Sequence, residues 1–380
     1  MDEIPDCVTL TSTVVDQPIS CLEFSSVHHS LLLVGTYHLQ KDDESEKAAE
    51  QGQSRSGSIV VFELMDEAFN HRRTHQTGFA VLDLKFSPGS ENLFAVAGSV
   101  GQINLFFLDV ADSFAITKTR SFTVDEPSIL VLSLEWARIA DESRIAASLS
   151  NGKVVVLSFD ADKDSLCSVQ AHDLEAWYVT WYNSDHTFLC SGGDDSAFCV
   201  HACVSDNPQG DKIDLERSDD QIEMQITRLS KNSKIHEAGV TAVLPLGKNE
   251  AGEMMIATGS YDERLRLLRC SSGSGKCQLE AEVKIGGGVW RLSLTEDGPT
   301  QVAPGNTFRI LASCMHAGPR IVELQWTHED KWSIRILARF LGHESMNYAS
   351  GILRDKKSGL KVVSSSFYDQ KLCLWQFEER

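Results

Sequence analysis

The sequence predicts an all-β fold, a seven-bladed WD-repeat β-propeller whose ring is closed by the N-terminal strand, and two observations predict it. Short stretches of alternating apolar and polar residues, rich in β-branched side chains and divided by Gly, Asp and Asn turns, indicate antiparallel strands. These stretches recur as a unit seven times, with a spacing of about 45–55 residues that is typical of four-stranded propeller blades.

Each unit begins with a short alternating strand, continues with an apolar strand that ends in a turn of small residues, and then enters a third strand. The seven units are 19–64, 79–108, 129–159, 176–202, 239–268, 288–324 and 349–377. The segment CVTLTSTVV (7–15) precedes the first unit and has no partner in it. We expect it to supply the outer strand of the last blade, because this would close the ring and remove an exposed sheet edge.

Polar stretches interrupt the blades at 40–58, 205–234 and 295–307. They lack the hydrophobic residues needed to fold alone, so we predict surface loops, with the insertions 41–58 and 205–234 partly disordered. No stretch indicates a domain boundary, and we therefore expect residues 1–380 to form a single domain.

The composition restricts the possible partners and the compartment. No run approaches the roughly 18 apolar residues of a membrane helix, and the N-terminus lacks the features of a secretory signal, so we expect a cytoplasmic monomer. The formal net charge of −19 opposes nucleic acid and anionic membranes. This negative charge favours a basic or cationic partner. The alternative is that it only keeps the protein soluble. The ten cysteines are scattered without metal-ligand spacing; we predict free thiols, no metal and no cofactor.

Several polar residues are expected to be structural. In WD blades a histidine of the loop entering the blade hydrogen-bonds toward the aspartate of the turn between the second and third strands, and a Ser or Thr and a Trp complete the network. Such a buried network is stable only when every member has a partner. The residues predicted for this role are His172 with Asp195, His236 with Asp262, and His343 with Asp369 and Trp375.

The remaining polar and aromatic residues converge on one end of the ring. The residue before the turn aspartate in each unit gives the series Tyr37, Val100, Asn151, Asp194, Tyr261, His316 and Tyr368. The residues that begin the first strands add Glu175, Trp177, Trp290 and Tyr348. Aromatic faces beside carboxylates bind quaternary ammonium groups. The alternative is that these aromatic side chains only pack between blades.

Several motifs resemble one known family. They are AHDLEAW (171–177), SGGDD (191–195), ATGSYDE (257–263), GGGVWRL (286–292), CMHAG (314–318), SSFYDQKLCLW (365–375) and GTYHL (35–39). Together they resemble the WD-repeat diphthine methylesterases of the diphthamide pathway. The resemblance implies an enzyme that hydrolyses the methyl ester of methylated diphthine, a modified histidine on translation elongation factor 2. This substrate also carries a trimethylammonium group.

Ester hydrolysis needs an activated nucleophile and donors for the oxyanion. His316 is a candidate general base, because Ala317 stands where the sister turns have aspartate. We expect His316 to activate water, with Asp194 or Glu175 orienting it. Covalent catalysis by Cys314 is the alternative, since residues two apart on a strand share a face.

The active site also needs hydrogen-bond donors for the oxyanion and side chains that surround the trimethylammonium group. The amides of Gly287 and Gly288 are candidate oxyanion donors, because glycine permits close approach of the backbone to a ligand. Aromatic side chains are expected to surround the trimethylammonium group; they are Tyr37, Trp177, Tyr261, Trp290, Tyr348 and Tyr368. Two other functions fit the same pattern: a non-catalytic scaffold, and a reader of methylated lysine or arginine.

Overall fold

Seven antiparallel sheets surround a central axis, and neighbouring sheets touch through their innermost strands. The computed structural model describes residues 4–39, 54–139, 142–160, 163–182, 186–205, 224–296, 298–299, 301–327, 331–354 and 359–378. This arrangement confirms the predicted seven-bladed β-propeller. The described residues contain no helix that is long and apolar enough to cross a membrane.

Each blade is numbered by the position of its innermost strand along the chain. The innermost strands are Ile19–Phe24, Val81–Phe86, Val131–Ile139, Ala176–Trp181, Val240–Asn249, Arg291–Leu294 and Ser350–Leu353. The second strands are Leu31–Thr36, Leu93–Gly98, Glu142–Leu149, Phe188–Gly193, Met254–Ser260, Thr307–Ser313 and Leu360–Ser366.

The outer half of each blade is formed by a third and a fourth strand. The third strands are Ser58–Met65, Gln102–Asp109, Lys153–Phe159, Phe198–Ser205, Arg264–Cys270, Arg320–Trp326 and Lys371–Phe377. The outer strands are Ala68–Gln76, Ala115–Thr123, Asp164–Gln170, Met224–Asn232, Cys277–Lys284 and Trp332–Arg339, with Val8–Val14 in the seventh blade. Short pairings join His38–Leu39 to Arg55–Ser56 and Gln301–Val302 to the innermost strand of the fifth blade.

Burial follows strand position, because neighbouring blades cover both faces of the middle strands. Every residue of Leu31–Thr36 is buried, whereas the outer strand Asp164–Gln170 alternates between exposed and half-buried residues. Glycine permits the closest contacts between blades. A Cβ on Gly259 would lie 2.3 Å from Cγ1 of Val289, so only glycine fits this inter-blade position.

The N-terminal strand closes the ring, as predicted. Val8–Val14 pairs antiparallel with the third strand of the seventh blade, with Val8 opposite Gln376 and Val14 opposite Lys371. The first and last segments of the chain therefore share one sheet, and the third strand of the last blade has no exposed edge.

The predictions for the loops and the cysteines were partly wrong, and Arg55–Ser56 and Gln301–Val302 are short strands within stretches predicted as loops. Met224–Asn232 is the outer strand of the fourth blade, although 205–234 was predicted as a loop. Its apolar face consists of little more than Met224 and Ile226, too few residues to stand out in a polar stretch. The rest of that insertion, 206–223, and residues 41–53 lie outside the described residues. Cys270 and Cys277 are directly opposed on paired strands and form a disulfide, whereas free thiols were predicted.

Candidate functional site

One end of the ring carries a continuous row of aromatic side chains, which we call the aromatic belt. Successive ring centroids lie 5.1 to 6.4 Å apart, within the range of direct aromatic contact. The belt consists of Trp177, Tyr261, Trp290, Tyr348, Phe367, Tyr368 and Tyr37. The fold therefore brings together all six predicted aromatic residues from five blades, and it adds Phe367, which sequence reasoning missed.

A carboxylate lies at the edge of the aromatic belt. The indole N–H of Trp177 donates to Oδ1 of Asp194 at 2.9 Å. The backbone N–H of Asp194 donates to the carbonyl of Glu175 at 2.8 Å, which fixes the turn on the strand-entry loop. Burial, and then the nearby Asp194 carboxylate, raise the pKa of Tyr261, so this phenol stays neutral beside the negative charge. The belt thus combines aromatic faces with one fixed anion.

The predicted series of turn residues is out of register in at least three blades. In the second and third blades the residues whose backbone N–H bonds to the carbonyl just before the innermost strand are Ser99 and Ser150, one position before Val100 and Asn151. In the seventh blade this residue is Ser365, three positions before Tyr368. Asn151 instead donates to Asp125 at 3.1 Å. Turn length differs between blades, so counting back from one turn position does not select equivalent residues in every copy.

The turn of the sixth blade, 314–319, holds His316 and differs from its sister turns. Six residues separate the second and third strands here, whereas three do so in the fifth blade. Met315 has a φ of 41°, in the left-handed region that L residues avoid. Its carbonyl accepts from the backbone N–H of Asn347 at 3.0 Å, which helps to hold this conformation.

The side chain of His316 is exposed, and no residue in the described part of the chain forms a hydrogen bond or ion pair with it. A structural histidine of this fold is buried and bonded, as His172 is. The imidazole of His316 is therefore free to contact a ligand.

Cys314 and His316 do not share a face as predicted, because Cys314 is buried and His316 is exposed. The second strand ends at Ser313, so the alternation of side chains does not continue into the turn. Cys314 is fully buried in the apolar core between blades, and its thiol donates to the carbonyl of Ala312. Burial raises the pKa of the Cys314 thiol to about 12, so a nucleophilic thiolate is disfavoured.

Gly287 and Gly288 pack against the turn 314–319. A Cβ on Gly287 would lie 2.3 Å from the carbonyl oxygen of Cys314, and one on Gly288 would lie 2.7 Å from Sδ of Met315 and 3.4 Å from Cδ1 of Tyr261. These glycines join the turn to the aromatic belt. Both are buried, and the described residues offer no acceptor to either backbone N–H. Buried N–H groups without acceptors are rare, which makes these two candidates for binding a ligand oxygen.

The fourth blade forms the predicted structural network. His172 bonds Asp195 through Nδ1 at 2.9 Å and Ser191 through Nε2 at 2.8 Å, and Ser191 continues to His201 where a Trp was expected. Burial alone would raise the pKa of Asp195, but hydrogen bonds from His172 and Lys231 lower it overall.

The other two networks are incomplete, which corrects the prediction. His236 bonds Thr258 at 2.9 Å, but Asp262 pairs with Arg266 at 2.8 Å and not with the histidine. His343 bonds Ser364 at 2.6 Å, and the indole N–H of Trp375 donates to the same hydroxyl at 2.9 Å. No hydrogen bond joins His343 to Asp369 in the described part of the chain. Burial lowers the pKa of His236 to about 3 and of His343 to about 4, so both remain neutral structural groups.

A propeller fold alone defines an architecture and not a chemistry. A chain in the crystal structure of the mitotic checkpoint complex matches with a TM-score of 0.63 and 14% identity, covering 100% of this chain and 94% of that one. At this identity the match shows the fold alone. No family model matches the sequence.

Comparison with curated proteins adds the family. Diphthine methyltransferase of Schizosaccharomyces pombe is 30% identical over 367 residues, covering 95% of each chain. Diphthine methyltransferase homolog of Dictyostelium discoideum is 25% identical over 95% of this chain and 97% of its own, and diphthine methyltransferase of Saccharomyces cerevisiae is 25% identical over 99% and 100%. The chain belongs to the diphthine methyltransferase family.

Proposed function

We propose that the protein is a carboxylic ester hydrolase that removes the methyl ester from methylated diphthine on translation elongation factor 2, giving diphthine during diphthamide biosynthesis. The aromatic belt with Asp194 at its edge carries this proposal. Aromatic faces with a fixed carboxylate attract a trimethylammonium group, and this attraction grows when the site is partly desolvated. The relatives named for diphthine support the same class of substrate.

In the proposed reaction, His316 takes a proton from a water molecule as the water oxygen attacks the ester carbonyl carbon. The backbone N–H groups of Gly287 and Gly288 donate to the oxyanion that forms. When the tetrahedral intermediate collapses, the C–O bond to the methoxy group breaks and the imidazolium returns its proton to the leaving oxygen. The products are methanol and a carboxylic acid, which ionises to the carboxylate. Oδ1 of Asp194 is bonded to Trp177, so Glu175 is the better candidate to orient the base or the water.

Water is the proposed nucleophile because the environment of Cys314 does not suit covalent catalysis. Its thiol is buried in the core, and burial raises its pKa to about 12. The exposed imidazole of His316 has no such barrier to a ligand. Hydrolysis also requires no reactant other than water, whereas a methyl transferase would need a separate methyl donor or methyl acceptor.

The direct experiment incubates the purified protein with elongation factor 2 that carries methylated diphthine, and follows methanol release and the mass of the modified peptide. The matched variants are His316→Ala and His29→Ala, since His29 is an exposed histidine on the turn between the first and second strands of the first blade, at the other end of the ring. We expect turnover by the wild type and by His29→Ala, and at least about a 100-fold loss in His316→Ala. Tight binding without methanol release by the wild type would instead identify a non-catalytic reader or scaffold.

A further inference from the structure

Arg291 lies directly beneath the aromatic belt and was not singled out by the sequence. It follows Trp290 and begins the innermost strand of the sixth blade. The centre of its guanidinium lies 4.9 Å from the ring of Trp290 and 5.0 Å from the ring of Tyr178, so it is held between two aromatic faces. One nitrogen, Nη1, donates to the backbone carbonyls of Thr241 and Trp290 at 3.2 and 2.9 Å.

Arg291 also lines a cavity of about 240 Å³ on the axis of the ring, which we call the central cavity. The walls of the central cavity include Glu23, Asp83, Lys85, Tyr178, Arg291 and Tyr348. Tyr348 belongs to the aromatic belt as well, so the belt and the cavity share a wall. Among the described residues, no carboxylate pairs with Arg291, and its Nη2 and Nε have no acceptor.

The carboxylates of this region are otherwise engaged. Glu23 pairs with Lys85 at 3.3 Å, and Asp83 accepts from the backbone N–H groups of Leu84 and Leu134. Glu135 belongs to the same buried charge cluster, and burial raises its pKa to about 7. The guanidinium of Arg291 therefore keeps donors available for an external anion.

A positive charge beside a cation-binding belt is unfavourable for a ligand that is only a cation, such as a methylated lysine. It suits a ligand in which an anionic or carbonyl oxygen lies next to the quaternary ammonium group. The guanidinium offers several N–H donors in a planar fork, which matches a carboxylate.

We propose that Arg291, on the wall of the central cavity next to the aromatic belt, forms an anion subsite. This subsite would bind the carboxylate of α-trimethylammonium carboxylates and the carbonyl oxygen of their esters. This inference rests on the proposed function, because the aromatic belt must hold the cation. The inference adds a group that recognises the ester carbonyl. It also argues against a protein that only reads methylated lysine or arginine, because the charge of Arg291 would repel a ligand that is only a cation.

Binding of small probes tests the subsite without requiring turnover. Tryptophan fluorescence titrations would compare trimethylglycine, which carries a carboxylate, with choline, which carries none, in the wild type, Arg291→Met, Arg291→Lys and Arg335→Met. Arg335 is an arginine of the outer strand of the same blade that pairs with Glu323, and it serves as the control for loss of one positive charge. Thermal unfolding of each variant checks that the fold is retained.

We expect the wild type and Arg335→Met to bind trimethylglycine at least about tenfold more tightly than choline. Arg291→Met should lose this preference by weaker binding of trimethylglycine with choline binding unchanged or stronger, and Arg291→Lys should retain part of it. Choline binding with no preference for trimethylglycine in the wild type, or a preference that survives in Arg291→Met, would overturn the anion subsite and leave the esterase proposal in place. Failure of both probes to bind would overturn the cation site together with the subsite.

Discussion

The indole N–H of Trp177 donates to Oδ1 of Asp194 at 2.9 Å, so one hydrogen bond fixes an aromatic face and a carboxylate relative to each other. Trp177 also contacts Trp290 and Tyr261 edge-on, at centroid distances of 5.5 and 6.2 Å. The carboxylate is thereby positioned before any ligand arrives, and a bound cation does not have to order it.

Asp194→Asn should weaken the binding of a trimethylammonium ligand about 5- to 30-fold, because it removes the charge while its amide oxygen can still accept from Trp177. The substrate KM should rise by this factor with little change in kcat. The control is Asp173→Asn, which removes a carboxylate from the loop that enters the same blade, where Asp173 is largely exposed and paired with Lys231. Equal effects of the two substitutions would indicate general electrostatic attraction instead of a specific contact.

Cys314→Ser should retain most of the esterase activity and lose stability. The serine hydroxyl would occupy an apolar core position, at a cost of about 1–3 kcal/mol in the free energy of unfolding. Urea unfolding and methanol release measured on the same preparation separate the two effects. A loss of turnover comparable with that of His316→Ala, in a variant that remains folded, would contradict the water mechanism.

Gly287→Ala should displace the turn that carries His316. The new Cβ would lie 2.3 Å from the carbonyl oxygen of Cys314 and 2.7 Å from Cβ of Ala317, so the turn must shift. We expect a loss of about 1–3 kcal/mol in stability and at least about a tenfold fall in kcat. Gly273→Ala is the matched control, because a Cβ there meets no atom within 4 Å and should leave both quantities unchanged.

Stability should fall as the pH drops below about 6.5. Burial lowers the pKa of His201 and His236 to about 3 and that of His343 to about 4, whereas histidine in the unfolded chain titrates near 6.5. Between these values the unfolded chain binds protons that the folded protein excludes, so each histidine removes up to about 1.4 kcal/mol of stability per pH unit. Urea midpoints measured from about pH 7 to about pH 4.5 report this slope. His236→Gln should reduce it, and an unchanged slope in this variant would show that His236 is protonated in the fold.

The repeat made the fold and six of the seven members of the aromatic belt predictable, because strand-entry loops and turns of every blade must emerge at the same end. The details of the His316 turn were not predictable. The left-handed backbone of Met315 occurs in a six-residue turn, which is longer than the three-residue turn of the fifth blade. The separation of Cys314 from His316 follows from the strand ending at Ser313. Periodicity within a strand says nothing about side chains beyond its last residue.

Arg291 shows a different limit. In the sequence it stands at the start of a strand and has no motif partner; its neighbour across the cavity, Tyr178, is 113 positions earlier in the chain. Its free donors are evident only when the carbonyls that it contacts and the pairs that occupy the nearby carboxylates are known. Networks of this kind depend on three-dimensional contacts that one sequence does not contain.

The central claim is that the ester is hydrolysed at its carbonyl carbon, and one turnover in water enriched in oxygen-18 tests it most directly. Elongation factor 2 bearing methylated diphthine would be converted by an excess of the protein, and the modified peptide and the released methanol would be analysed by mass spectrometry. The account predicts one labelled oxygen in the new carboxylate and none in the methanol. Label in the methanol would place the attack of water at the methyl carbon, and conversion without any label would show transfer of the methyl group to another acceptor. Either result would contradict attack at the ester carbonyl.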